Sequence, residues 1–179
     1  MILFRSVPGE APFLWESGGA QPAGRWHRAG EGPAHYLADT PDGAWAEFLR
    51  HEEITDPAEL GNVRRTMWAV ALSDDLAPRS PRLGRRTVTG EVGSYAACQA
   101  EAARLRAAGA QAIVAPSAAL REGEARGWRV EDGIQPGPPR DGRVIVLFGP
   151  RPDLVAWRAA VGARPDDALL TKVRHFRRR

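Results

Sequence analysis

The sequence predicts a single α+β domain, because strand and helix patterns are mixed along the chain without the regular alternation of a doubly wound sheet. Ala44, Trp45, Phe48 and Leu49 recur at helical spacing, whereas residues 144–148 form the continuous apolar run of a buried strand. A hydrophobic content of 43% is that of an ordinary globular protein, so we expect one folded domain over residues 1–179.

The first elements are a short strand at residues 2–4, closed by Arg5, and a strand at residues 34–38 with Tyr36 at its centre. Between them, residues 8–33 are crowded with glycine and proline and predict a loop, interrupted by Gly-Arg-Trp-His at residues 24–27. A loop of this length inside a compact domain is often functional.

The next element is a helix that contains the apolar stripe. Asp39 or Thr40 is suited to cap its first turn, and Pro41 follows where a missing N–H costs little. Glu47 lies at the border of the stripe, so its carboxylate is either solvated or directed into a cleft.

The second half of the chain alternates between strands, helices and loops. We expect a helical turn at 56–60, a strand at 66–72 and an exposed excursion at 73–86. A helix capped by Ser94 and stopped by Gly109 follows, and then a strand at 112–115 that leads to Pro116 and Ser117. The remaining elements are a polar loop at 122–142, a strand at 144–148, a helix at 153–161 that buries Leu154, Val155 and Trp157, and a last strand at 169–176.

Charge and cysteine content narrow the functional classes. Lys172 is the only lysine, so the positive charge is carried by arginine, which reflects either codon usage or an anionic ligand. The basic run at 175–179 predicts a solvated tail, and acidic residues spread along the chain disfavour a nucleic-acid-binding face. Cys98, the lone cysteine, predicts a buried inert thiol, and a cytoplasmic location is the default. No signal peptide or membrane span is apparent.

Familiar catalytic signatures are missing. The sequence contains no Walker-type phosphate loop, and its four histidines lack the spacing of zinc ligands, so no metal is expected. A Ser/His/Asp triad stays open. The remaining polar candidates lie at or beside the ends of predicted strands, or on the helix that follows one: Arg5, Arg25, Tyr36, Glu47 and Ser117. By themselves none of them stands out, and a surface arginine beside Trp26, a core tyrosine and a turn serine after Pro116 are the favoured interpretations.

Their local context resembles the RES-domain family of small bacterial toxins. The resemblance rests on Gly24-Arg25-Trp26-His27, Gly30, His35-Tyr36-Leu37-Ala38 and Ala46-Glu47, then on Arg5, Gln99, residues 112–115 with Pro116-Ser117-Ala118, and residues 144–148 with Pro150. It covers residues 2–160 in order. In one departure, Ser6 follows Arg5 where some members carry an aromatic residue.

The resemblance implies an ADP-ribosyltransferase-like split β-sheet with flanking helices, and degradation of NAD with release of nicotinamide. Glu47 would stabilise the positive charge that develops on the ribose. Arg5 and Arg25 would bind the pyrophosphate, because arginine forks match phosphate oxygens. Tyr36 would stack on nicotinamide or bond a ribose hydroxyl, and Ser117 would orient Glu47 or the ribose. Glu47, Arg25 and Tyr36 are thus the catalytic candidates, and NAD is a substrate rather than a resident cofactor.

The resemblance also implies an Xre-type helix-turn-helix antitoxin as partner, a homodimer, and no membrane or nucleic-acid ligand. The acceptor of ADP-ribose is left open between water, phosphate and a protein side chain. The alternative is a module of the same fold that binds a nucleotide or partner without catalysis. A DNA-binding function would rest on the arginine-rich tail alone.

Overall fold

The computed structural model describes residues 1–14, 21–130 and 132–177. The main β-strands are β1 (Ile2–Pro8), β2 (Ala34–Ala38), β3 (Arg65–Ala71), β4 (Ala112–Pro116), β7 (Arg143–Phe148) and β8 (Val155–Ala163), and a separate hairpin consists of β5 (Trp128–Val130) and β6 (Ile134–Pro136). The helices are α1 (Pro41–His51), α2 (Arg85–Val88) and α3 (Tyr95–Ala107). Six strands form one antiparallel sheet in the order β4-β7-β2-β1-β3-β8, which confirms the α+β prediction.

The sheet is nearly divided between β1 and β2. Strand β1 pairs with β3 along its full length, and β2 pairs with β7 along its full length. Between β1 and β2, the described residues pair only at Phe4 opposite Ala38. The fold is therefore two three-stranded halves that part beyond one point of contact, which agrees with the expected split sheet.

Helices cover one face of each half. Cys98, Ala102 and Leu105 of α3 pack on the half formed by β4, β7 and β2. Trp45 and Leu49 of α1 pack in a cluster with Met67 of β3. Because α1 and α3 sit over different halves of the sheet, a cleft is left between them along the line where the sheet divides.

Local chemistry accounts for the start of α1. Thr40 adopts an extended conformation, and its hydroxyl accepts a hydrogen bond of 2.9 Å from the amide of Gly43, with Pro41 in the first turn. The predicted Thr40 cap is confirmed. The other candidate, Asp39, does not cap the helix; its carboxylate accepts hydrogen bonds from the Arg140 side chain and the Arg143 amide.

The predicted helix at 153–161 is wrong, because this segment is the edge strand β8. Val155 is 66% exposed and Trp157 47% exposed, whereas the small residues Ala156, Ala160 and Ala163 are half-buried against the core. Pairing with β3 decided the outcome, since β3 would otherwise be left with an unpaired edge. Branched and aromatic residues also favour strands.

The predicted last strand at 169–176 is also wrong. A 3-10 helix occupies Asp167–Lys172, capped by the Asp166 side chain, and it buries Leu169 and Leu170 beside α1. The helical turn predicted at 56–60 is present as a 3-10 helix over Pro57–Asn62. The loop predicted at 122–142 contains the hairpin of β5 and β6. The excursion at 73–86 is mostly irregular and ends where α2 begins.

Two predictions about single side chains have opposite outcomes. Cys98 is fully buried as expected, and burial raises the pKa of its thiol. Ser94 precedes α3, but its side chain accepts no hydrogen bond from the backbone of that helix. No helix in the part of the chain that the structure describes is long and apolar enough to cross a membrane.

Candidate functional site

A cavity of about 500 Å³ opens where β1 and β2 part, between α1 and α3. This volume lies within the range of small-molecule sites. Four of the five predicted residues line it: Arg5 from β1, Arg25 from the long loop, Tyr36 from β2 and Glu47 from α1. The fifth, Ser117, lies behind Glu47 rather than on the cavity wall.

The wall beside Arg25 is the tight turn at residues 24–27. The amide of Gly24 donates to the carbonyl of His27 at 3.0 Å, and Gln99 of α3 donates to the Gly24 carbonyl at 2.9 Å. A Cβ atom on Gly24 would lie 2.7 Å from the Tyr36 hydroxyl oxygen and 2.8 Å from a ring carbon of His27. Only glycine allows this approach.

The hydroxyl of Tyr36 holds this turn in place. It accepts from the Trp26 amide at 2.8 Å and lies 2.9 Å from His27 Nδ1, while His27 Nε2 lies 2.9 Å from the Pro22 carbonyl. Because a carbonyl only accepts, Nε2 carries the proton of the neutral ring and Nδ1 accepts from Tyr36. Burial raises the pKa of Tyr36 and lowers that of His27, so both are uncharged near neutral pH.

Arg25 is only 7% exposed and donates to groups that follow α2. Its Nη2 donates to the Gly90 carbonyl at 2.7 Å, and its Nη1 donates to Ser94 Oγ at 3.0 Å. The guanidinium also stacks over the Tyr95 ring at 4.6 Å. None of the ion pairs among the described residues involves Arg25.

Arg50 is a second buried arginine on this wall, and the sequence analysis missed it. It lies one helical turn after Glu47 and is 1% exposed. Its Nη2 donates to the Gly90 carbonyl at 2.9 Å, and its Nη1 donates to the carbonyls of Arg174, at 2.8 Å, and Ala118. Burial lowers its pKa, and the charge of Glu47 opposes that shift. We call Arg25 and Arg50, which share the Gly90 carbonyl, the buried arginine pair.

The C-terminal segment packs against Arg50, which corrects the prediction of a solvated tail. The Phe176 ring lies 4.2 Å from the Arg50 guanidinium and is half-buried. Arg177 is exposed, and residues 178–179 lie outside the described residues. The segment is therefore part of the wall behind α1 as far as Phe176.

The carboxylate of Glu47 is partly accessible, with 28% of its side chain exposed. Ser117 Oγ lies 3.5 Å from Glu47 Oε1, and His51 Nε2 lies 3.7 Å from Glu47 Oε2. The Ser117 oxygen accepts from the Leu120 amide at 3.0 Å, which leaves its proton for Glu47. The predicted partnership of Ser117 with Glu47 is thus geometrically possible, while the roles of both residues stay predictions.

Arg5 and Arg65 form another part of the cavity wall, and Arg65 was not predicted. Arg5 donates to the Phe13 carbonyl at 2.7 Å. Arg65 donates to Ser6 Oγ at 2.8 Å and to the Ser6 carbonyl at 3.2 Å. Both arginines are half-buried, and we call them the open arginine pair. No local pattern marks Arg65, because an arginine opening a strand is ordinarily a surface residue.

Comparison with known proteins agrees with this architecture. A probable NAD(+) phosphorylase of Mycobacterium tuberculosis is 34% identical over 107 residues, which is 56% of this chain and 50% of the relative. This chain therefore matches about half the length of that protein. A chain in the crystal structure of the M. tuberculosis MbcT-MbcA toxin-antitoxin complex superposes with a TM-score of 0.58 at 18% identity, covering 97% of this chain and 88% of that one, so the two share a fold. The RES domain family matches residues 2–166, and the protein belongs to that family.

Proposed function

We propose that this protein cleaves NAD at the bond between nicotinamide and ribose, as the toxin of a toxin–antitoxin pair. One observation carries the proposal: a single cavity of about 500 Å³ holds an accessible carboxylate, Glu47, together with the guanidinium groups of Arg5 and Arg25. A dinucleotide needs both, since it carries an anionic pyrophosphate and a ribose that becomes cationic when the bond breaks. The related NAD(+) phosphorylase supports the choice of substrate.

Cleavage breaks the bond between the ribose anomeric carbon and the nicotinamide nitrogen. The bonding electrons leave with nicotinamide, and positive charge develops on the ribose. The Glu47 carboxylate stabilises that charge, and Ser117 orients it through the 3.5 Å contact with Oε1. An acceptor oxygen then bonds to the same carbon. A water acceptor releases a proton to solvent, whereas an anionic phosphate oxygen forms the bond without losing a proton.

The other residues bind the substrate. Arg5 and Arg25 contact the pyrophosphate. The Tyr36 ring stacks on nicotinamide, because its hydroxyl proton is already donated to His27. The acceptor is water or phosphate, and the name of the relative favours phosphate. Transfer to a protein side chain is the remaining alternative. No metal or resident cofactor takes part in the proposal.

The toxin role includes a partner. The structural neighbour from a toxin–antitoxin complex supports an antitoxin partner. That this partner covers the cavity rests on the family resemblance. Its Xre-type helix-turn-helix fold, a homodimeric toxin and a cytoplasmic location are further parts of the proposal and rest on the family resemblance.

The experiment is a nicotinamide-release assay on the purified protein, with NAD in phosphate buffer and in phosphate-free buffer. Glu47→Gln keeps the shape of the side chain and removes its charge, and we expect the rate to fall by about 10²–10³. Glu10→Gln is the matched control, because the Glu10 carboxylate is 76% exposed and lies off the cavity wall.

Release by Glu47→Gln at the rate of the unmodified protein would contradict the assignment of Glu47. NAD that stays intact in both buffers, although it binds, would instead favour a binding module without catalysis.

A further inference from the structure

Arg65 is held in place by neutral groups, with no carboxylate partner among the described residues. Its Nε and Nη2 donate to Ser6, at 2.8 Å to the hydroxyl and 3.2 Å to the carbonyl, and its guanidinium stacks on the Phe48 ring at 4.2 Å. None of the ion pairs among residues that the structure describes includes Arg65. A cation fixed this way on a cavity wall loses little further side-chain entropy when it binds a ligand.

Arg5 brings a second positive charge to the same place. Both side chains line the cavity, and Arg65 is bonded to Ser6, the residue that follows Arg5. Burial, and then the charge of Arg65, lower the pKa of Arg5 to about 10. Burial lowers the pKa of Arg65, and the charge of Glu52, an exposed residue on the cavity wall, opposes that shift without forming an ion pair. Two like charges that approach in a half-buried cavity are stabilised when an anion lies between them.

We propose that Arg65 and Arg5 together bind a phosphoryl group in this cavity. The inference rests on the proposed dinucleotide chemistry and adds Arg65 as a ligand-binding residue. A guanidinium has five N–H donors, and the bonds described above use one of them in Arg5 and two in Arg65. Planar forks with free donors match phosphate oxygens. The phosphoryl group comes from the pyrophosphate of the dinucleotide or from inorganic phosphate.

Ser6 acquires a role in this arrangement. Its small side chain supplies the acceptor for Arg65 Nε at 2.8 Å. An aromatic residue, which some family members carry after the arginine of β1, would remove that acceptor. Ser6 therefore positions Arg65 in this protein.

The first experiment measures binding without turnover. Isothermal titration calorimetry uses ADP-ribose, inorganic phosphate and adenosine as probes. Arg65→Met keeps an apolar side chain against Phe48, and we expect it to weaken binding of the phosphoryl ligand about tenfold while adenosine is unaffected. Arg64→Met is the matched control, because Arg64 is exposed and donates only to nearby carbonyls, those of Gly61 and Val63.

A second variant guards against a folding defect. Ser6→Ala keeps both charges and removes only the hydroxyl acceptor, so we expect weakening in the same direction by about two- to threefold. Circular dichroism and the Tm of each variant are compared with those of the unmodified protein. Arg65→Lys, which keeps the charge without the fork, should restore part of the affinity.

The ADP-ribose and inorganic phosphate measurements distinguish the two sources of the phosphoryl group. Weaker binding of ADP-ribose with a raised KM for NAD assigns the pair to the pyrophosphate, and weaker binding of inorganic phosphate with a raised KM for phosphate assigns it to the acceptor. Unchanged affinity for both probes in folded Arg65→Met, or no binding of either probe to the unmodified protein, would overturn the inference. Arg65-dependent binding of ADP-ribose without nicotinamide release would sustain it while defeating the proposed cleavage.

Discussion

The buried and open arginine pairs line one cavity but differ in how their hydrogen bonds are used. Arg25 and Arg50 are 7% and 1% exposed, and their donors are directed at protein oxygens from Gly90, Ser94, Ala118 and Arg174. Arg5 and Arg65 are half-buried. Among the described residues, Arg5 donates to the Phe13 carbonyl, and Arg65 donates to Ser6 and stacks on the Phe48 ring. The buried pair therefore braces the wall, with three hydrogen bonds from each guanidinium, whereas Arg5 donates one and Arg65 two. Arg25 also lines the cavity, so its remaining donors can still meet the proposed pyrophosphate.

The largest expected effect tests the bracing role of the buried pair. Arg50→Met leaves the carbonyls of Gly90, Ala118 and Arg174 without this donor, so we expect the free energy of unfolding to fall by about 3 kcal/mol or more. Arg65→Met, which loses two hydrogen bonds to Ser6 and keeps an apolar side chain against Phe48, should lower it by about 1 kcal/mol or less. Urea denaturation measures both free energies. Equal decreases would show that the two pairs contribute equally to stability.

A smaller effect tests whether Tyr36 belongs with the buried pair. Tyr36→Phe deprives the Trp26 amide and His27 Nδ1 of their shared partner, and we expect it to lower the free energy of unfolding by about 1–2 kcal/mol. The ring is kept, so ADP-ribose affinity by calorimetry should stay within about threefold. Normal stability with lost affinity would mean that the hydroxyl contacts ligand instead.

The smallest expected effect is a dependence of the free energy of unfolding on pH. Burial lowers the pKa of His27 below its ordinary 6.5, and burial lowers that of His35 as well. The unfolded chain therefore binds more protons than the folded one at mildly acidic pH, and stability is lost as pH falls. We expect the free energy of unfolding to decrease by about 1 kcal/mol or less from pH 7 to pH 5. The decrease should shrink, without vanishing, in His27→Gln, and it should persist in His51→Gln. A flat profile in the unmodified protein would show that the wall tolerates a charged His27.

Local signals predicted the elements that carry the site. Thr40 with Pro41 marked the start of α1, and the apolar run at 144–148 marked β7, because caps and hydrophobic periodicity depend on residues close in sequence. The helix predicted at 153–161 failed because Val155 and Trp157 suggested burial, while the unpaired edge of β3 determined a strand. For a short apolar segment of this kind, tertiary pairing decides between helix and strand.

The sequence alone determined the α+β class, the start of α1 and a family pattern that named Arg5, Arg25, Tyr36, Glu47 and Ser117. Only the tertiary structure decided which arginines are braced and which are open. Arg50 meets carbonyls 40, 68 and 124 residues away, and Arg65 meets Ser6 at a separation of 59. Burial and hydrogen bonding at such separations depend on how the two halves of the sheet come together, and no local pattern encodes that.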